Sequence, residues 1–300
     1  MPPLYLELAI TYRCDLDCGY CYQDQGRRTS YPDMTLEDVK VLASNLKNSF
    51  LIKPRIYVFG GEPTINPEFT EILEFLSEQG YKFFFATNGI TFRKHAEKVM
   101  SLRGLENVII SLNPGNVSKI EGLIAEVDSC KKKNGPVISV NCPVDIVQET
   151  GVELFHLARR IEKTPAKYLT FQHSQSIFED SRRGRAEDII SGIRKVRDTS
   201  YKIPVFFFPD IKEKCLQAYY LDPDFPGQKK KCLLPWFDIF IRPNGDVVPC
   251  DEVDHVVGNI KDESLRDIWN NGIYREFRKG IQQDGVSFPI CRRCCHRQYC

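Results

Sequence analysis

Short apolar runs alternate with longer amphipathic stretches throughout the first two hundred residues, and this alternation narrows the fold more than any other feature. The spacing predicts strands over Tyr5–Ile10, Arg55–Phe59, Lys82–Ala86, Val108–Leu112, Val137–Asn141 and Tyr168–Phe171. Helices are predicted between them, over Leu36–Leu46, Glu68–Glu78, Arg93–Ser101, Val117–Lys132, Gly151–Ile161 and Arg185–Thr199. Pro54, Gly80, Gly104, Gly135 and Pro165 mark the connections. Short apolar strands joined by helical crossovers make a parallel sheet with helices on its outer face. The expected class is α/β: a partial (β/α)6 TIM-like barrel, open rather than closed, with its chemistry at the C-terminal ends of the strands.

The pattern changes after about Pro204. Val205–Phe208 is a further apolar run, followed by irregular, Pro-containing sequence in which Lys229–Lys231 reads as a solvated face. Phe237–Arg242 and Val247–Pro249 flank Asn244-Gly245 and predict a hairpin, because Asn-Gly favours a primed turn. Leu265–Arg278 reads as a helix weakened by Asn270, Asn271 and Gly272. The tail from Cys291 to Cys300 has almost no apolar content and would need ligated metal to order itself. A division into residues 1–205 and a small α+β domain over 206–300 is expected.

Lys and Arg number 41 against 40 Asp and Glu, a balance that argues against a nucleic-acid or membrane partner. No apolar stretch is long enough to span a bilayer, and the start lacks the features of a secretory signal, so a cytoplasmic protein is expected. Against that background the 12 cysteines stand out. A disulfide scaffold belongs to small secreted chains; in a reducing compartment, clustered thiolates indicate metal or redox chemistry.

Cys14, Cys18 and Cys21 lie in the loop that follows the first strand. Three thiolates can hold three irons of a [4Fe–4S] cube and leave the fourth open to a substrate or cofactor. A zinc site completed by a ligand from elsewhere is the alternative that spacing leaves open.

Cys14-x3-Cys18-x2-Cys21, with Tyr20 before the last cysteine, resembles the signature of the radical SAM superfamily. Gly60-Gly61-Glu62-Pro63 after the second strand is similar to that family's GGEP segment, and Thr87-Asn88-Gly89 to its TNG turn. The resemblance covers about residues 4–200 and implies that S-adenosylmethionine chelates the open iron. An electron from the cluster would then release a 5′-deoxyadenosyl radical that abstracts hydrogen from carbon. It also implies cofactor contacts from Tyr20, Gly60, Gly61, Glu62, Thr87, Asn88, Ser111, Asn113 and Asn141, the glycines allowing close backbone approach to the methionine moiety.

In the last third, Cys232 and Cys250 bracket the predicted hairpin, and Cys291-x2-Cys294 lies beyond the predicted helix. Gly245-x4-Cys250 and Cys291-x2-Cys294-x5-Cys300 resemble the SPASM or twitch extension of radical SAM enzymes. Because the full SPASM pattern runs past Cys300, the resemblance implies one auxiliary [4Fe–4S] cluster on Cys232, Cys250, Cys291 and Cys294, two clusters in all, with Cys300 in reserve. Zinc on four thiolates remains the chemical alternative.

Of the remaining cysteines, Cys130 reads as a packed thiol. Cys142 closes the fifth strand at the expected rim, Cys215 sits in the connecting segment, and Cys295 abuts a ligand. In epimerases of the family such a thiol returns hydrogen to the substrate radical, so these three are the candidate donors, with Cys215 first. His173 and the basic turn Arg182-Arg183-Gly184-Arg185 are further candidates for substrate contact. The expected function is epimerisation of a peptide or natural-product intermediate with a cysteine hydrogen donor. Dehydrogenation, or thioether or carbon–carbon cross-linking, with electron transfer to the auxiliary cluster is the alternative, and a non-catalytic metal-binding scaffold another. A flavodoxin or ferredoxin-type reductant and a small-molecule or peptide substrate are the expected partners. The first strand begins near residue 5, which favours a compact substrate or a separate recognition partner.

Overall fold

The computed structural model describes residues 2–21, 23, 25–173, 186–222, 232–284, 288, 291 and 294. In chain order it opens with β1 (Tyr5–Thr11), α1 (Gln25–Ser30), α2 (Leu36–Ser49), β2 (Arg55–Gly60), α3 (Phe69–Glu78), β3 (Phe83–Thr87) and α4 (Ala96–Val99). There follow β4 (Leu105–Ser111), α5 (Ile120–Ser129), β5 (Val137–Pro143), α6 (Ile146–Thr150), α7 (Leu154–Ile161), β6 (Leu169–Gln172), α8 (Ala186–Arg197), β7 (Val205–Phe208) and α9 (Glu213–Leu221). The last third holds β8 (Asp238–Ile241), β9 (Asp246–Val248), β10 (Gly258–Asn259), α10 (Leu265–Asn270) and α11 (Gly272–Asp284).

All the strands join one sheet in the order β10-β9-β8-β1-β2-β3-β4-β5-β6-β7, which is not closed. From β1 to β7 each strand runs parallel to its neighbour. β8 lies parallel to β1 on its other side, Tyr5 opposite Asp238, and β9 and β10 continue antiparallel. The expected run of six β/α units is present, and β7 extends the same sheet beyond residue 205.

The two faces of the sheet differ because the side chains alternate along each strand. Leu6, Leu8, Ile10, Ile56, Val58, Phe83, Phe85, Val108, Ile110, Ile138 and Val140 point to one face and are fully or almost fully buried. There they meet Leu42 of α2, Ile72 of α3, Ile124 of α5 and Leu157 of α7 in the main core. Each such aliphatic side chain contributes about 1.5–3 kcal/mol of burial free energy. The opposite, inner face carries Glu7, Tyr57, Phe84, Ile109, Asn141, Thr170 and Gln172, all half-buried. Tyr57 stacks there between Phe59 and Phe84, with ring centroids 4.9 and 4.8 Å away.

Two predicted helices are divided and a third starts late. The segment expected over Arg93–Ser101 divides into a short turn at Phe92–Lys94 and α4. Gly151, with φ of 67°, ends α6 and delays α7 to Leu154. Asn271 adopts an extended conformation and splits the segment expected over Leu265–Arg278 into α10 and α11. Among the described residues no helix is long and apolar enough to cross a membrane.

Candidate functional site

The loop after β1 carries Cys14 and Cys18 half-buried and Cys21 exposed. It is held by the strand next door. Gly61 N donates to Thr11 O at 2.9 Å and Glu62 N to Arg13 O at 2.8 Å, so the β1–β2 ladder continues past the irregularity between Ala9 and Thr11. Asp33 accepts from Thr11 Oγ1 at 2.6 Å and from Arg13 Nε at 3.0 Å. Within the loop, Cys21 N donates to Cys18 O at 3.0 Å and Leu16 N to Cys14 Sγ at 3.4 Å. Burial pushes the Cys14 thiol up to about 11 and raises Cys18 as well.

Gly60 and Gly61 are also required by a close approach within the chain. A Cβ on Gly60 would lie 2.0 Å from Thr11 O, and one on Gly61 2.2 Å from Arg13 O. Glycine is therefore demanded by the crossing of the cysteine loop over β2, before any ligand is considered.

Glu62 is a hub of hydrogen bonds within the chain. Its carboxylate is fully buried and engaged by the chain. Oε1 accepts from Thr64 N at 3.1 Å, Thr64 Oγ1 at 2.5 Å and Thr87 Oγ1 at 2.8 Å, and Oε2 from Asn88 N at 2.6 Å. Desolvation raises its pKa, and these donors act against that rise. Glu62 thus pins the turn after β2 to the turn after β3.

The other expected contacts differ in what holds them. Thr87 and Asn113 are braced within their own turns: Thr87 Oγ1 accepts from Gly89 N at 3.0 Å, and Asn113 Oδ1 accepts from Gly115 N at 2.9 Å. Asn88 Nδ2 donates to Asp15 Oδ1 at 2.6 Å, joining the β3 turn to the cysteine loop. Ser111 and Asn141 stand half-buried on the inner face at the ends of β4 and β5, and Asn141 Nδ2 donates to Gln172 Oε1 at 2.8 Å. Tyr20 reaches across to Leu112 O, its hydroxyl donating at 3.4 Å.

Two features were not foreseen from the sequence. α1 sends Arg28 over the cysteine loop, donating to Leu16 O at 2.9 Å and Asp17 Oδ1 at 3.1 Å. Its neighbour Arg27 donates to Asp251 O at 3.2 Å, beside Cys250, so one short helix touches the surroundings of both cysteine groups. The second feature is acidic. Burial, then Asp238 and Asp251, pushes Glu7 well above the ordinary carboxylate range, and burial pushes Asp238 up to about 6. Glu7 and Asp238 lie within hydrogen-bonding reach of each other and titrate as one pair. A charged residue on the half-open face of the alternating run Tyr5-Leu6-Glu7-Leu8-Ala9 was the available signal.

In the last third, Cys250 follows β9, and burial raises it well above the usual thiol range, with Cys294 near enough to raise it further. Cys294 is buried; Cys232 and Cys291 are half-buried, and Cys232 packs against the main core. Cys295 and Cys300, like residues 182–185, lie outside the described residues.

Two of the three expected thiol donors, Cys142 and Cys215, are buried. Cys142 is fully buried on the helix-facing side of β5, near Tyr20 of the cysteine loop. Cys215, on α9, is buried against the main core. His173 is 1% exposed, packed on Phe207 and Tyr219, with Nδ1 bonded to Tyr220 Oη. Burial lowers its pKa to about 3, so it stays neutral.

Among the described residues no three His, Cys, Asp or Glu side chains converge as a single ion would require. A [4Fe–4S] cube does not require it, because each thiolate meets a different iron. The donor set of Cys14, Cys18 and Cys21 suits such a cube. So does Arg28 Nε, a buried donor with no acceptor in the protein. Both features fit a cluster lying against this loop.

The profile of the Radical SAM superfamily matches residues 8–123, and that of SPASM, an iron–sulfur cluster-binding domain, matches residues 232–295. The chain is 24% identical over 294 residues to the PqqA peptide cyclase of Xanthomonas axonopodis pv. citri (strain 306), covering 90% of this chain and 75% of that protein. Streptococcus suis SuiB bound to the precursor peptide SuiA superposes with a TM-score of 0.63 at 15% identity, covering 92% of this chain and 66% of that one. The enzyme anSMEcpe with bound AdoMet superposes at 0.66 and 17% identity, covering 97% and 85%. These structures share the open, partial-barrel fold. The cofactors are S-adenosylmethionine and a [4Fe–4S] cluster, with further iron–sulfur binding in the SPASM region. This chain is a radical SAM enzyme with a C-terminal SPASM domain.

Proposed function

We propose that this enzyme modifies a peptide by oxidative bond formation, removing hydrogen from a side chain or backbone carbon laid along the inner face of the sheet. The observation that carries the reading is that face itself. Glu7, Tyr57, Phe84, Ile109, Thr170 and Gln172 are half-buried across β1 to β6, while the opposite face is closed by helices. Phe206 and Phe208 continue the strip at the edge strand, 53% and 41% exposed. A broad strip with aromatic and polar stations suits an extended chain better than a compact metabolite. The resemblance to a peptide cyclase and to SuiB with its precursor peptide supports the same substrate class.

When bound, S-adenosylmethionine and the barrel cluster on Cys14, Cys18 and Cys21 supply a hydrogen-abstracting 5′-deoxyadenosyl radical, and a SPASM cluster on Cys232, Cys250, Cys291 and Cys294 supplies an electron acceptor. The chain's own residues position and shield. Ser111 and Asn141 offer polar atoms at the strand ends, and Tyr57, Phe59 and Phe84 exclude water from the reacting carbon. The burial of Cys142 favours net oxidation over epimerisation. A flavodoxin or ferredoxin-type protein would provide the first electron.

The test is product mass spectrometry in deuterated solvent after turnover of a precursor peptide by the anaerobically reconstituted enzyme. Loss of two hydrogens, with 5′-deoxyadenosine formed in step, is expected. Gain of one solvent deuterium without that loss would establish epimerisation instead.

A further inference from the structure

Arg28 is held in an unusual way. Its side chain is only 10% exposed, while its ion-pair partner Asp17 is 78% exposed. Water therefore screens Asp17 and leaves much of the guanidinium charge uncompensated on the inward side. One terminal nitrogen serves Leu16 O and Asp17, inside the segment between Cys14 and Cys18. Nε is inaccessible and has no acceptor in the protein. A buried N–H without a partner calls for an explanation, and an acceptor outside the polypeptide is one.

The surroundings say what accepts. Arg28 is a neighbour of both Cys14 and Cys21, and its charge acts on both. The other charges acting on Cys14 and Cys18 include Asp15, Glu62 and Glu149, all acids, with Arg28 the cation that acts on both. Acids around a cluster oppose the arrival of an electron, and a fixed guanidinium favours it. Arginine keeps its charge at any working pH. Hydrogen bonds to cluster sulfur and local charge are among the factors that set iron–sulfur potentials.

We propose that Arg28 is a positioning residue for the radical-generating centre: its Nε–H donates to a sulfur of the cluster on Cys14, Cys18 and Cys21, and its charge raises that cluster's reduction potential. The inference rests on the radical SAM assignment and is independent of the peptide substrate.

The experiment is an anaerobic redox titration of reconstituted protein, followed through the electron paramagnetic resonance signal that responds to S-adenosylmethionine. The parent, Arg28→Gln and Arg28→Lys are compared at matched iron content. In Arg28→Gln the reduction equilibrium should weaken by about tenfold, a 59 mV move to lower potential for a one-electron couple. Arg28→Lys, which keeps the charge but not the planar fork, should recover only part of the shift. An unmoved midpoint in cluster-loaded Arg28→Gln overturns the proposal and leaves Arg28 as a brace for the loop. If Arg28→Gln cannot hold the cluster, Arg28→Lys decides alone: a lowered midpoint supports the proposal and an unchanged one overturns it. A parent that takes up no cluster would instead refute the radical SAM assignment, which the parent's own spectrum reveals first.

Discussion

The side-chain amide of Asn88 donates to the Asp15 carboxylate at 2.6 Å, fastening the turn after β3 onto the loop between Cys14 and Cys18. A hydrogen bond to an ionised group is worth about 1.5–3 kcal/mol. Asn88→Ala should leave the sheet intact but loosen the loop, so that iron is lost faster to a chelator. The release rate of barrel-cluster iron, measured beside an unchanged far-ultraviolet spectrum, checks this. An unchanged rate would show that Asp15 needs no tether.

Glu62 meets four donors in a fully buried position. Glu62→Gln keeps the shape but turns one acceptor into a donor facing other donors. A loss of about 2–4 kcal/mol in denaturant unfolding is expected, since a buried mismatch costs about 1–3 kcal/mol per group. A loss under half a kilocalorie or so would contradict the hub role.

Gly61→Ala places a methyl 2.2 Å from Arg13 O, a backbone atom that cannot move without the loop. The variant should fold with a displaced cysteine loop and take up less iron than the parent, while SPASM-cluster iron is retained. Metal analysis with Mössbauer or paramagnetic resonance speciation distinguishes the two sites. Full occupancy of both would show that the crossing can widen.

The Glu7–Asp238 pair makes stability depend on pH. Ordinary carboxyl values lie near 4, and folding raises Asp238 to about 6 and Glu7 well above its ordinary value. A carboxyl raised on folding binds its proton more tightly in the folded state. Its contribution is thus most favourable at low pH and is lost as pH rises from about 4 through the folded value near 6. Asp251 and Tyr57 face the same pair. Asp238→Asn should gain stability relative to the parent as pH climbs through that window. Urea midpoints for both proteins across the range measure the difference. A difference that shrinks with pH would reverse the assignment.

Cys142→Ala should cost about 1–2 kcal/mol, as trimming of a buried side chain does, and should leave 5′-deoxyadenosine formation unchanged. Comparing thermal unfolding with turnover tests both halves. Loss of product with an unaltered melting curve would return this thiol to the active site.

The strands were legible because Leu6, Leu8 and Ile10, and their counterparts in later strands, alternate with inner-face residues over short spans. The cysteine spacing was equally direct. α1 was not, since Gln-Gly-Arg-Arg-Thr-Ser has no apolar period, and with it the role of Arg28 stayed hidden. α9 was concealed by the irregular sequence around it. For Glu62 the residue type suggested a ligand contact, but the direction of a carboxylate depends on which donors the turns present. The Glu7–Asp238 pairing joins residues from opposite ends of the chain, a relation that no local pattern carries.

The parallel pairing of β1 with β8 has a consequence for synthesis. The strand that leads into the cysteine loop obtains one neighbour, β2, early, but its other edge stays unpaired until residues 238–241 have emerged. A nascent chain therefore carries an open, apolar strand edge through most of translation, the kind of edge that recruits other strands. Pairing at such long sequence separation is slow to form. Metal loading before β8 docks would engage a loop whose strand is still only half supported, so maturation of the barrel centre is best timed after the C-terminal third has folded.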